Sequence, residues 1–303
     1  MRNAFAKKLL ELAASDKDVM LLTGDLGFSV FEDFQKQFPK QYLNAGINEQ
    51  AMIGMAAGLA LEGRKVFVYS IIPFIAYRAL EQIRNDLCYQ KLPVKLIGVG
   101  TGMAYGRMGG THHAIEDVGV LTSLPEMTVF SPGDPLEVQA IIEASMGLSG
   151  PCYVRLNRAG DPIVHTEQTI RQWKMGEPLK VAGEGLELVV MAMGSMIALG
   201  VDVIGDLKYG SLYSVSTLKP VQRKAFVDIL HQAKTVVVLE EHVSHGGLGS
   251  LISQIIVEEG LGPRVIFCSL PDEFVHQAAS QAYLEKHYGL TKENIIKRIN
   301  HLE

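Results

Sequence analysis

One carboxylate, Glu49, stands at the mouth of a long apolar stretch, "NAGINEQAMIGMAAGLALEG". An acid there has two uses. In the first turn of a helix it meets unpaired N–H groups and the partial positive end of the helix, and position alone favours this reading. Shut in an apolar pocket, an acid can instead share a proton with a ligand, because burial favours the protonated carboxyl. The neighbouring residues bear on the choice. In "YSIIPFIAYRALEQIRNDL", Phe74 and Tyr77 fall on one helical face and could wall a flat pocket, although such a pair also suits a core. "YGRMGGTHHAIED" sets His112 and His113 side by side after a glycine-rich loop. A neutral imidazole donates to a carbonyl oxygen and relays protons near neutral pH. A metal site on the same pair is disfavoured, because consecutive side chains point poorly at one ion.

Something must position these groups. Short apolar runs read as buried strands at 19–24, 65–70, 93–100, 127–132 and 152–157, with helix-length intervals between most of them. This alternation predicts a parallel sheet covered on both faces. The segment from Asn48 to Leu61 is apolar on nearly every face and predicts a buried helix, with Gly54 and Gly58 leaving room for another backbone. A polar interval follows the fifth strand, and strand-like runs resume at 186–194, 211–217, 235–241 and 265–270. The expected organisation is α/β throughout: a first domain over 1–165, a linker over 166–185 and a second domain over 186–303.

Composition narrows the class. The chain has 303 residues, 48% of them hydrophobic, and a net charge of −5, which suits a large buried core and argues against general nucleic-acid binding. Cys88, Cys152 and Cys268 are scattered without a C-x-x-C, so no disulfide framework or zinc finger is implied, and a reducing cytoplasm is the expected compartment. No apolar run reaches the length of a membrane span.

Taken in order, "GINEQAMIGMAAGLAL", "GGTHHAIEDVGVLTSLPEMTVFSPGDPLE", "CYVRLNRAG", "STLKP" and "VVVLEEHVSHGGLGS" resemble the second half of transketolase and of deoxyxylulose-phosphate synthase, both thiamine-diphosphate enzymes. The beta subunits of 2-oxoacid dehydrogenases are similar more distantly. The resemblance implies a pyrimidine-binding domain followed by a transketolase C-terminal-type domain. It implies that Glu49 hydrogen-bonds N1′ of the cofactor's aminopyrimidine, the contact that allows the ring to take the proton from C2 of the thiazolium. Phe74 and Tyr77 fall where the family stacks aromatics around that ring. Ile71 replaces a further aromatic, and Asp25, in "GDLGFSV", lies near the cofactor. His112 matches the histidine that contacts the reacting sugar, and His113 stands where glutamine is usual. Arg158 matches an arginine that grips the sugar phosphate, a group suited to a guanidinium fork. Arg2 and Ser29 fall near positions that assist it.

Three departures matter. The family's Gly-Asp-Gly…Asn site for diphosphate and Mg²⁺ has no counterpart, since "GDL" belongs to the pyrimidine domain; this implies a separate subunit that carries that motif, with two such pairs forming a heterotetramer. Met108 replaces an aspartate that reads a substrate hydroxyl, and Gly100 replaces a phosphate-binding histidine, which points to an altered sugar. The activity implied is transfer of a two-carbon ketol unit between sugar phosphates. The alternatives are a pyruvate-using enzyme, either a dehydrogenase beta subunit or a deoxyxylulose-phosphate-synthase-like protein, and a non-catalytic scaffold on the same fold. The C-terminal domain, despite the acids and histidines of "EEHVSHGGLGS", is expected to organise the fold and support a dimer rather than serve the chemistry.

Overall fold

A computed structural model describes residues 1–158 and 160–301. Among the described residues, twelve strands lie in two sheets. They are β1 (Val19–Thr23), β2 (Tyr42–Asn44), β3 (Lys65–Ile71), β4 (Lys95–Val99), β5 (Thr128–Phe130), β6 (Cys152–Leu156), β7 (Leu179–Glu184), β8 (Leu188–Ala192), β9 (Gly210–Ser214), β10 (Thr217–Lys219), β11 (Thr235–Val243) and β12 (Arg264–Leu270). The first sheet runs β10-β5-β6-β4-β3-β1-β2 and the second β12-β11-β8-β9-β7. Pairing is parallel except at one edge of each sheet, where β10 and β7 run antiparallel to their neighbours. The central strands β4, β6 and β8 are buried at every residue, which is why they read as unbroken apolar runs in the sequence.

Two details depart from expectation. The interval 166–185 carries structure of its own: a helical turn at Glu167–Ile170 capped by Thr166, and then β7, which belongs to the second sheet. The run at 211–217 does not form one strand. β9 stays in the second sheet, whereas β10 crosses to pair with β5 in the first.

The helix Glu49–Leu61 starts where Asn48 accepts a hydrogen bond from the Ala51 amide, a side-chain cap of the usual kind. Met52, Ile53, Ala56 and Ala57 face the core. The opposite face is uncovered: Met55 is 43% and Leu61 71% exposed, and a Cβ placed on Gly54 or Gly58 would meet no atom within 4 Å. The helix is therefore half buried within this chain, not buried all round. Among the described residues no helix is long and apolar enough to cross a membrane.

The loops that follow β1, β2, β3, β4 and β6 bring Asp25, Glu49, Phe74, the histidine loop and Arg158 to the carboxyl edge of the first sheet. Ligands of open parallel sheets bind at that edge.

Candidate active site

Glu49 is 1% exposed, and its Oε2 accepts a 2.8 Å hydrogen bond from Nη1 of Arg78. The isolated acid expected from the sequence thus has a charged partner in this chain. The Arg78 guanidinium also lies 4.6 Å from the centre of the Phe74 ring. Phe74 sits in a π-helical turn, Pro73–Tyr77, that follows β3 directly, and such turns are frequent at functional sites. It packs on the buried cluster that contains Ile71 and Tyr69. Its other neighbour is His112, at 5.1 Å between ring centres in an edge-on arrangement. His112 in turn meets Tyr105 at 6.1 Å, and the Arg158 guanidinium lies 5.2 Å from the Tyr105 ring. The structure therefore brings Glu49, Phe74, His112 and Arg158 into one continuous line. Arg78 and Tyr105 complete it, and sequence reading singled out neither.

The two histidines diverge. His112 is half buried, its Nδ1 lies 3.0 Å from the Thr111 hydroxyl, and burial pushes its pKa down. His113 is buried under the loop. Its Nε2 donates to the Gly106 carbonyl at 3.4 Å, and its Nδ1 has no partner. Burial lowers its pKa as well, so both rings are neutral at pH 7. Tyr77 does not share a ring contact with Phe74. Its hydroxyl donates to Glu116 at 2.9 Å, and burial, with the charges of Asp117 and Glu116 beside it, pushes its pKa far up.

Asp25 is exposed with φ +57° and exchanges hydrogen bonds with the Asn44 amide side chain. Ser29 is exposed, also with positive φ, and its amide donates to Glu32. Arg2 is half buried, and its Nε has no partner. Burial raises the Tyr105 pKa, and the positive charges of Arg158 and Arg2 oppose the rise.

The histidine loop is held from beneath by the second domain. At the end of β11, Glu240, Glu241 and His242 are all buried. Glu240 caps the helix Leu248–Glu258 by accepting from the amides of Leu248 and Gly249. Glu241 accepts from the Met103 amide at 2.9 Å and from the Gln281 side chain. Burial pushes its pKa up to about 8, with Glu285 adding to the rise. Gly102 fits only because it lacks a side chain: a Cβ there would lie 2.2 Å from the Glu241 carboxyl carbon. His242 Nε2 accepts from the Gly119 amide. Arg155, 1% exposed, donates to Asp117 at 2.9 Å, to the Ala114 carbonyl and to the Glu241 carbonyl. The second domain thus supports the histidine loop from beneath. Among the described residues no group of three or more His, Cys, Asp or Glu converges as a metal site.

The donor set suits an aminopyrimidine: a buried carboxylate to accept from the ring, an aromatic face beside it and a neutral imidazole beyond. Comparison with known proteins is consistent with that chemistry. Residues 1–160 match the transketolase pyrimidine-binding domain and residues 178–295 the transketolase C-terminal domain. The chain is 34% identical over 301 residues to an apulose-4-phosphate transketolase subunit of Phocaeicola vulgatus, covering 98% of this chain and 95% of that one. It is 28% identical to 1-deoxy-D-xylulose-5-phosphate synthase of Heliobacterium modesticaldum, covering 97% of this chain but only 45% of that protein. Among solved structures it is similar to a split-gene transketolase described as an inactive beta4 tetramer, with a TM-score of 0.90 and 32% identity over 99% of this chain and 97% of that one. On the sequence of its two domains and the fold that they share with these proteins, the chain belongs to the transketolase family.

Proposed function

We propose that this chain is the pyrimidine-binding subunit of a split transketolase, which transfers a two-carbon ketol unit between sugar phosphates. The observation that carries the reading is the single line from Glu49 through Phe74 and His112 to Arg158. Similarity over nearly full length to proteins described as a transketolase subunit and a split-gene transketolase supports it.

Thiamine diphosphate, when bound, supplies the electron sink for carbon–carbon cleavage. Glu49 accepts a hydrogen bond at N1′ of the pyrimidine and holds a proton there. Phe74 offers a flat apolar wall, Ile71 backs it, and Tyr77 with Glu116 braces the same turn. Asp25 borders the pyrimidine from the β1 loop. His112, neutral at pH 7, passes a proton to or from a sugar oxygen, and His113 fixes the loop that presents it. Arg158 binds the phosphate, with Arg2 and Ser29 at the margin. A second subunit with the Gly-Asp-Gly…Asn motif supplies the diphosphate and Mg²⁺ site, two pairs form a heterotetramer, and the assembly works in the cytoplasm.

Affinity capture of the tagged chain from its native cells tests this. Recovery of a partner with that motif, and ketol transfer by the reconstituted pair that Glu49→Ala abolishes, is the expected result. Full activity of the Glu49→Ala complex would overturn the assignment. Release of CO₂ from pyruvate by the pair, without ketol transfer, would replace the reading with a pyruvate-using one.

A further inference from the structure

Between the histidine loop and the segment 279–281 of the second domain lies a cavity of about 460 Å³, a size that admits a sugar phosphate. Arg107 and Arg158 both line it. The lining includes no Asp or Glu, and among the described residues neither guanidinium has a carboxylate partner. Two like charges facing one open space repel, and an anion between them removes that repulsion. In a chain with a net charge of −5, this is a locally positive site.

The position of Arg107 is built, not incidental. It lies in the short helical turn Gly106–Met108. The Gly106 carbonyl accepts from the Ala279 amide at 3.2 Å and faces His113 Nε2 at 3.4 Å. Gly106 itself packs so closely that a Cβ would lie 2.5 Å from the Ala279 carbonyl oxygen. The second domain therefore fixes the backbone from which Arg107 projects. Next to it, the Tyr105 ring fills the space over Gly100, where a Cβ would come within 2.2 Å of that ring, and carries Arg158 on its face. A side chain at position 100 would therefore have to displace the Tyr105 ring.

We infer that Arg107 is a specificity-determining residue that binds the phosphate monoester of the sugar substrate jointly with Arg158. This rests on the proposed function for the substrate, but the anion site itself can be measured without activity. Two planar guanidinium forks converging on one phosphate give charge-assisted, partly bidentate hydrogen bonds, which an ammonium reproduces only in part.

The test has two arms. In the complex reconstituted with its partner subunit, Arg107→Ala is expected to raise KM for a ketose phosphate about 10- to 100-fold with kcat nearly unchanged. Kinetics on the unphosphorylated ketose should not move, and Arg107→Lys should recover part of the loss. In the second arm, calorimetric titration of the wild-type chain with inorganic phosphate should give binding that Arg107→Ala weakens and the Arg107→Ala/Arg158→Ala pair abolishes. An unchanged KM for the ketose phosphate in an active Arg107→Ala complex would overturn the inference and leave the function standing. Arg107-dependent phosphate binding by a chain whose complex lacks ketol transfer would uphold the site and sink the functional reading. Equal phosphate binding by wild type and Arg107→Ala, or Arg107-dependent binding of a sugar carboxylate alone, would overturn the phosphate assignment.

Discussion

Arg78 donates to the Glu49 carboxylate at 2.8 Å while its guanidinium rests 4.6 Å from the centre of the Phe74 ring. It therefore touches both groups that an aminopyrimidine would use. Arg78 is 48% exposed, so solvent screens the pair and its net worth to stability is about 1 kcal/mol. Arg78→Ala should lower the chain's stability by roughly that amount. It should also tighten cofactor binding by the assembled complex, because no guanidinium has to leave. Thermal denaturation and a cofactor titration check both expectations; an unchanged affinity would mean that Arg78 keeps its place when the cofactor binds.

His112 has its pKa pushed down by burial, below the ordinary histidine value of 6.5. In the proposed role the neutral ring is the working form, so activity should persist down through pH 6.5 and fall only as the ring protonates. His112→Asn should cost about 10²- to 10⁴-fold in kcat and remove that acid limb. The pH profile of the reconstituted complex decides it, and an acid limb that survives in the variant would assign it to another group.

Glu241 is protonated in the folded chain up to about pH 8, whereas the same carboxyl in the unfolded chain ionises near its ordinary value of 4.5. Between those values the unfolded state binds fewer protons than the folded one, so this group's stabilising contribution is full below pH 4.5 and declines as pH rises toward 8. Glu241→Gln keeps an acceptor for the Met103 amide and cannot ionise. The difference in melting temperature between variant and wild type should therefore move in the variant's favour from pH 5 to pH 8. A difference that stays constant with pH would exclude the linkage.

Gly54 and Gly58 open onto empty space beside the exposed Met55. Gly58→Leu should leave the chain folded, since a Cβ there has no atom within 4 Å to displace, and should weaken subunit assembly if this face is the contact between subunits. Sedimentation velocity with and without the partner measures it. Undiminished assembly would place the subunit contact elsewhere.

Much of this was legible in the sequence, for particular reasons. The central strands announced themselves because a parallel sheet covered on both faces forces unbroken apolar runs. β2, β7 and β10 did not, because edge strands of three to six residues with one open side carry little apolar signal. Glu49, Phe74, His112 and Arg158 stood out through residue type and motif. Arg78, Tyr105, Arg107 and Glu241 did not, because their meaning lies in what faces them. Nothing in "RALEQIR" itself marks Arg78 as the residue that reaches back to Glu49. The acids of "EEHVSHGGLGS" look like a strand end until Glu241 is seen under Gly102.

The excursion of β10 has a practical corollary. Because Thr217 and Lys219 pair with Phe130 and Val129, the edge of the first sheet is closed by chain that lies some sixty residues beyond that sheet's last parallel strand. Cutting the polypeptide between its halves would strip that edge and leave β5 with a row of unpaired amides and carbonyls, a template for aggregation. The halves are thus poor candidates for separate expression, and trimming the protein to its pyrimidine-binding part would call for a segment supplied in trans to seal β5.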